Sequence, residues 1–143
     1  MLNEVRARLK LVAQKAREVA KELDGKSSYP FGRMMAFDDQ GQPCCAWGHV
    51  MARAGFKPSG RYGINSAALW DFVCGEEGHY ILNNEGPADT ELRFHHDARI
   101  FNELVDVSRY NDTETAGDEN RIALVKSALF RVAHAIEETS EKC

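Results

Sequence analysis

"GQPCCAWGHVMARAGF", residues 41–56, holds the choice between two kinds of protein. As a helix start that carries a nucleophile, it needs a histidine brought beside Cys45. As a turn that passes into a core helix, it needs only other helices to cover its apolar face. Successive helical residues are about 100° apart. On that wheel Trp47, Val50, Met51 and Ala54 cluster with Cys44 at their edge, while Cys45, His49 and Arg53 lie opposite. Gly48 falls between the two faces, and a residue without Cβ permits a close crossing by another element. The wheel makes Cys44 a small buried hydrophobe and leaves Cys45 available for chemistry.

Working outward, the turn before this helix is Asp38-Asp39-Gln40-Gly41, and Pro43 suits a first helical position. The helix is expected from about Cys44 to Ala54, with Gly55 as its stop. Further upstream, Leu2, Val5, Leu9, Val12, Ala16, Val19, Ala20 and Leu23 recur at helical spacing, and Asp24-Gly25 closes that helix. Leu11 lies off the stripe. Met34 to Phe37 reads as a short strand.

Downstream, "KPSGRYGINS" is loop, and Asn65 or Ser66 can cap a buried third helix through "AALWDFVC" that Gly75 and Gly78 end. "HYIL" (79–82) reads as a second short strand. A fourth helix carries Phe94, Phe101, Leu104, Val105 and Ser108 on one stripe and ends near Tyr110-Asn111-Asp112. The last begins after Gly117, where Asp118 can cap it; its stripe is Ile122, Val125, Leu129, Val132, Ala133 and Ile136. The expected fold is mainly α, about five helices with at most one small β-hairpin, in a single compact domain over 1–143 with a frayed tail at 136–143.

A chain of 143 residues, 43% hydrophobic and 28% charged, suits one domain with its own core. No apolar run approaches the roughly 18–20 residues of a membrane span, and the charged N-terminus does not read as a secretory signal. A cytoplasmic location is the default. Adjacent Cys44 and Cys45, with Cys74 and Cys143 far off, form no disulfide framework, so reduced thiols are expected. The net charge of −4 is unevenly spread: residues 1–33 hold eight Lys/Arg against four Asp/Glu, and residues 75–120 hold three Arg against twelve Asp/Glu. Such a split can steer a partner, or the two surfaces can attract each other. No basic stripe interleaved with aromatics marks a nucleic-acid site.

Cys45 has two activating features on paper. A thiol in the first turn feels the positive end of the helix dipole, and the imidazole of His49 is one turn away. His79 offers a second base and Asn83 an orienting group, so a thiol hydrolase is the alternative function. The passage "GQPCCAWG" resembles the papain-like thiol proteases in its upstream glutamine and in the tryptophan after the cysteine. His79 follows Cys45 by 34 positions, which leaves little room for the sheet such enzymes build. Cys45, His49, Cys74, His79, His95 and His96 satisfy none of the strong zinc spacings, and no glycine pattern forms a phosphate cradle. No cofactor or metal is expected.

The order of motifs is similar to that of an uncharacterised family of small bacterial and phage proteins, a domain of unknown function. Its members carry an aromatic segment, a D-x-x-G-x-x-C-x-x-G turn-to-helix motif and an Asn-Asp pair before a final amphipathic helix. Here Phe31 to Phe37, then Asp38, Gly41, Cys44 and Trp47-Gly48, then Asn111-Asp112 take those places, over about two-thirds of the chain. Cys45 and His49 fall outside the pattern. The resemblance implies a small accessory protein of bacterial or phage origin, with no activity attached, and assigns the motif cysteine to Cys44.

Asn111 and Asp112 also have a reading of their own: their side chains bond nearby backbone, and a buried Asn111 can tie the turn motif to the last helix. These features lead to the expectation of a non-enzymatic module that binds another protein, in the manner of a mobile-element protein acting on a host factor. Tyr29, Phe31, Tyr62, Asn111 and Asp112 are its contact residues, and a homodimer is permitted. A small-ligand binder, using the cleft between the turn motif and "YND", is the third possibility.

Overall fold

The computed structural model describes residues 2–82, 98–113 and 117–142. Five helices follow in order: α1 Leu2–Glu22, α2 Ala46–Arg53, α3 Asn65–Leu82, α4 Ala98–Asp112 and α5 Asp118–Lys142. The protein is mainly α-helical, and among the described residues pairing of the β type is limited to isolated bridges.

The two long helices form as their spacing predicts. In α1 Val5, Leu9, Val12, Ala16, Val19 and Ala20 are buried, with Leu23 just past the helix end; Ala13 widens the stripe, and Leu11 packs half-buried at its edge. The chain leaves the helix through Gly25 at φ +75°, a conformation that a side chain would strain. In α5 Ile122, Val125, Leu129, Val132, Ala133 and Ile136 are all buried. Helix α5 is the centre of the bundle, with its largest contacts to α1 and α4. Each fully buried aliphatic side chain contributes about 1.5–3 kcal/mol, so these two stripes supply a large share of the driving force. The core is one cluster that draws on all five helices and on Ala36 and Phe37.

Elsewhere the structure corrects the expected boundaries. The strand at Met34–Phe37 shrinks to Phe37, which bridges Pro43 and Tyr62. Met34 at φ +69° interrupts the extended backbone on one side, and the Asp38 turn closes it on the other. Pro43 is taken up in that bridge, so α2 starts at Ala46 and Cys45 is its N-cap, in extended conformation (φ −75°, ψ 174°).

Helix α3 runs through Gly75 and Gly78 to Leu82, and "HYIL" is helical. A glycine weakens a helix by about 1 kcal/mol without ending it, and Ala68, Leu69, Trp70 and Val73 anchor the preceding turns. Helix α4 buries Ile100, Leu104, Val107 and Asn111, so of the expected stripe only Leu104 is in the core; Phe94 lies outside the described residues. Over the tail expected to fray, α5 continues to Lys142 with Thr139 and Ser140 buried; the Ser140 hydroxyl donates to the Glu137 carbonyl at 2.8 Å.

One expectation about close packing holds in detail. A Cβ placed on Gly48 would collide with the backbone carbonyl of Ala36. Segment 26–36 therefore lies directly against α2, and this contact positions everything around the cysteine pair.

Candidate functional site

The turn is built by Asp38. One of its carboxylate oxygens, Oδ1, accepts the amides of Gln40 and Gln42, each at 2.9 Å, and its carbonyl accepts the Gly41 amide. Gly41 sits at φ +75°, against the carbonyl of Pro58. The chain returning from this turn meets segment 26–36: Gly32 N–H donates to Cys44 O, Cys44 N–H to Ala36 O and Cys45 N–H to Met35 O.

Asn111, fully buried, gathers this region. Its Oδ1 accepts the Tyr29 hydroxyl and the Ala46 amide (3.0 Å), the first amide of α2. Its Nδ2 donates to Gly32 O (2.8 Å) and to Asp112 Oδ1 (2.9 Å). Its own carbonyl accepts Arg121 from α5, with Nε at 2.8 Å. Arg121 is 5% exposed, and its guanidinium lies 4.1 Å from the centre of the Tyr29 ring. A buried polar group left unbonded costs about 1–3 kcal/mol, so a residue whose side chain satisfies four neighbours and whose carbonyl takes Arg121 holds turn, segment and last helix in register.

The cysteines exchange the roles that the wheel gave them. Cys45 is 4% exposed and Cys44 is the partly exposed one. At an extended N-cap the backbone is not yet helical, so the wheel does not apply to the residues before Ala46. The Cys45 sulfur bonds to Asn65 Oδ1 at 3.6 Å. Burial pushes its thiol up to about 11, against a smaller opposite pull from the Gly48 and Trp47 amides. The charged form that a nucleophile needs is thereby suppressed.

His49 is half-buried and stacks on Phe31 with ring centres 4.8 Å apart; burial, then Arg53, lowers its pKa. Its backbone amide donates to the Cys45 carbonyl at 3.1 Å, while the Cys45 sulfur bonds to Asn65 and not to the imidazole. His79 lies in the C-terminal part of α3, where side chains are outside the described residues, and Asn83 is outside them altogether.

The other expected contact residues are tied into the molecule. Tyr29 packs edge-on against Phe31, and its hydroxyl is held by Asn111. Tyr62 packs edge-on against Phe37 and Phe56 and donates its hydroxyl to Asp71. Asp112 Oδ1 accepts the Met34 amide at 2.9 Å. The structure thus brings Tyr29, Phe31, Asn111 and Asp112 together as an internal junction, with Tyr62 in a separate aromatic cluster. Among the described residues no three His, Cys, Asp or Glu side chains converge as a metal site, and His95 and His96 lie outside them.

Two surface clefts that the described residues line involve α4. The larger, about 590 Å³, runs between α4 and α5 over Ala123 and Phe130. Its cations are matched: Arg99 by Glu138, Arg131 by Glu103 and Asp106, and Lys126 by Asp24. It therefore offers no net field to an anion. Such pairs join α4 to α5 and, through Arg17–Glu137, α1 to α5, and none of them links residues 1–33 to the acidic stretch 75–120.

The smaller cleft, about 220 Å³, is the one that sequence reasoning missed. Ile64, Phe101 and Val105 line it and are 63%, 51% and 45% exposed, three of the five large apolar side chains that the described residues leave in water. At its base the Asn65 amide donates to Ser108 Oγ at 2.7 Å. On α4 this face is turned about 100° from the buried one, because 101, 105 and 108 each follow a core residue by one position. The available signal was Ile64, a β-branched apolar residue in a loop of glycine and polar residues. Compared with family models, with curated proteins and with solved structures, the chain matches none of them.

Proposed function

We propose that the protein acts by binding another protein, and that the cleft formed by Ile64, Phe101 and Val105 receives a bulky apolar side chain of that partner. The observation that supports this is the convergence of three exposed apolar residues from a loop and a helix around one depression. Contiguous apolar surface of this kind marks interaction sites more often than isolated exposed residues do, and a volume near 220 Å³ suits one large side chain. The resemblance to small bacterial and phage proteins makes a host factor the expected partner.

A thiol hydrolase has less support, since Cys45 is buried, protonated at neutral pH and hydrogen-bonded to an amide oxygen. The cleft expected between the turn motif and Asn111-Asp112 for a small ligand is filled by Tyr29 and Gly32. The test compares proteins retained by the wild type and by Phe101→Asp from lysate, with light scattering of both alone. A partner retained by the wild type and released by Phe101→Asp supports the proposal. Equal retention by both, or no partner for either, overturns it. A wild-type dimer that the substitution dissociates would make the partner a second copy.

A further inference from the structure

We propose that segment 26–36 is a strap that opens as a unit while the helices stay folded, and that its opening controls access to the Cys45 and Asn111 junction. Three observations carry this. First, the segment has no helix or strand, and Lys26, Ser27, Ser28, Pro30, Gly32, Arg33 and Met34 are exposed, so its apolar burial is confined to Ala36 at its end and to the half-buried Tyr29, Phe31 and Met35. Its attachments to α4 and α5 are side-chain bonds: Tyr29 to Asn111, Tyr29 N–H to Asp118, Gly32 O to Asn111 and Met34 N–H to Asp112. Few buried apolar contacts and exposed hydrogen bonds are the marks of a segment that opens below the global unfolding energy.

Second, the strap holds stored strain. Met34 is 75% exposed at φ +69°, so no packing of its side chain compensates the backbone conformation. Third, the junction below remains bonded when the strap leaves. Asn111 Oδ1 keeps the Ala46 amide, Nδ2 keeps Asp112, and the Asn111 carbonyl keeps Arg121. Opening breaks the strap's backbone bonds to Cys44 and Cys45 and hands those groups to water, while these three bonds of Asn111 persist. It uncovers the backbone of Cys44 and Cys45, which the strap pairs with, and releases the Tyr29 and Phe31 rings to solvent.

The chain contains its own control. Cys45 is bonded to the strap through its amide, and Cys74, also buried, lies on α3, to which the strap makes none of these bonds. Alkylation by iodoacetamide at pH 8, read at each site by mass spectrometry, reports the opening of each. Tyr29→Phe removes the hydroxyl bond to Asn111 and should raise the Cys45 rate about three- to tenfold, with the Cys74 rate unchanged. Met34→Asn places a residue that tolerates positive φ on an exposed site and should lower the Cys45 rate about threefold. Parallel acceleration of both cysteines in Tyr29→Phe would mean global unfolding and would overturn the proposal. So would a Cys45 rate indifferent to both substitutions.

Discussion

The junction around Asn111 and the cleft around Phe101 lie on the same helix and solve opposite problems. At Asn111 every polar atom is inside and bonded, and three chain segments (26–36, α2 and α5) converge on one residue. At Phe101, Val105 and Ile64 apolar surface is outside and uncovered. The first costs the molecule nothing once formed, because its bonds replace those to water. The second leaves a hydrophobic gain unrealised until something covers it. Tyr29 and Asn111, expected as contacts, are bonded to other parts of the molecule, and Phe101 and Val105, expected on the core stripe, are exposed.

Substitutions should separate the two regions sharply. The largest effect belongs to Gly48→Val, which drives a side chain into the Ala36 carbonyl; a loss above about 4 kcal/mol is expected, visible as failure to give a cooperative thermal transition. Asn111→Ala should cost about 3 kcal/mol in urea unfolding, since the Ala46 amide and Gly32 carbonyl lose their partner. A loss under 1 kcal/mol would remove the distinction drawn between junction and cleft.

High pH probes the junction without mutation. The folded Cys45 thiol titrates near 11, above its ordinary value of 9.0, so the folded state holds its proton more tightly. That stabilisation is complete below about pH 9 and is lost as pH rises through about 11. The wild type should lose on the order of 2 kcal/mol across this window, and Cys45→Ala should flatten that part of the profile. At the far end, Phe101→Asp should shift stability by no more than about 1 kcal/mol, since the ring is half exposed, while abolishing partner retention. A large destabilisation there would place Phe101 with the core.

Much of the architecture was readable from residue spacing. The stripes of α1 and α5 are long enough that burial energy overwhelms any local preference, and both formed as expected. Gly48 and Asn111 were also legible, one as a site of close approach and the other as a tie, because each residue type has a narrow physical use. The cysteine assignment failed for a local reason: Pro43 entered a bridge, the helix began two residues later, and the side-chain directions of Cys44 and Cys45 were set by extended backbone. The α4 stripe failed for a different one. Ile100, Leu104 and Val107 and the neighbouring Phe101, Leu104 and Val105 are both helical stripes, and periodicity does not rank two faces that share a residue.

Composition and spacing by themselves determined a mainly helical protein, its two long helices α1 and α5, its turn and the close backbone crossing at Gly48, since those follow from local stereochemistry and from apolar period. Which face of α4 meets α5, which cysteine is covered and which aromatic rings are held by hydrogen bonds depend on partners distant in sequence. Only packing decided them, because a side chain's exposure is a property of what stands opposite it.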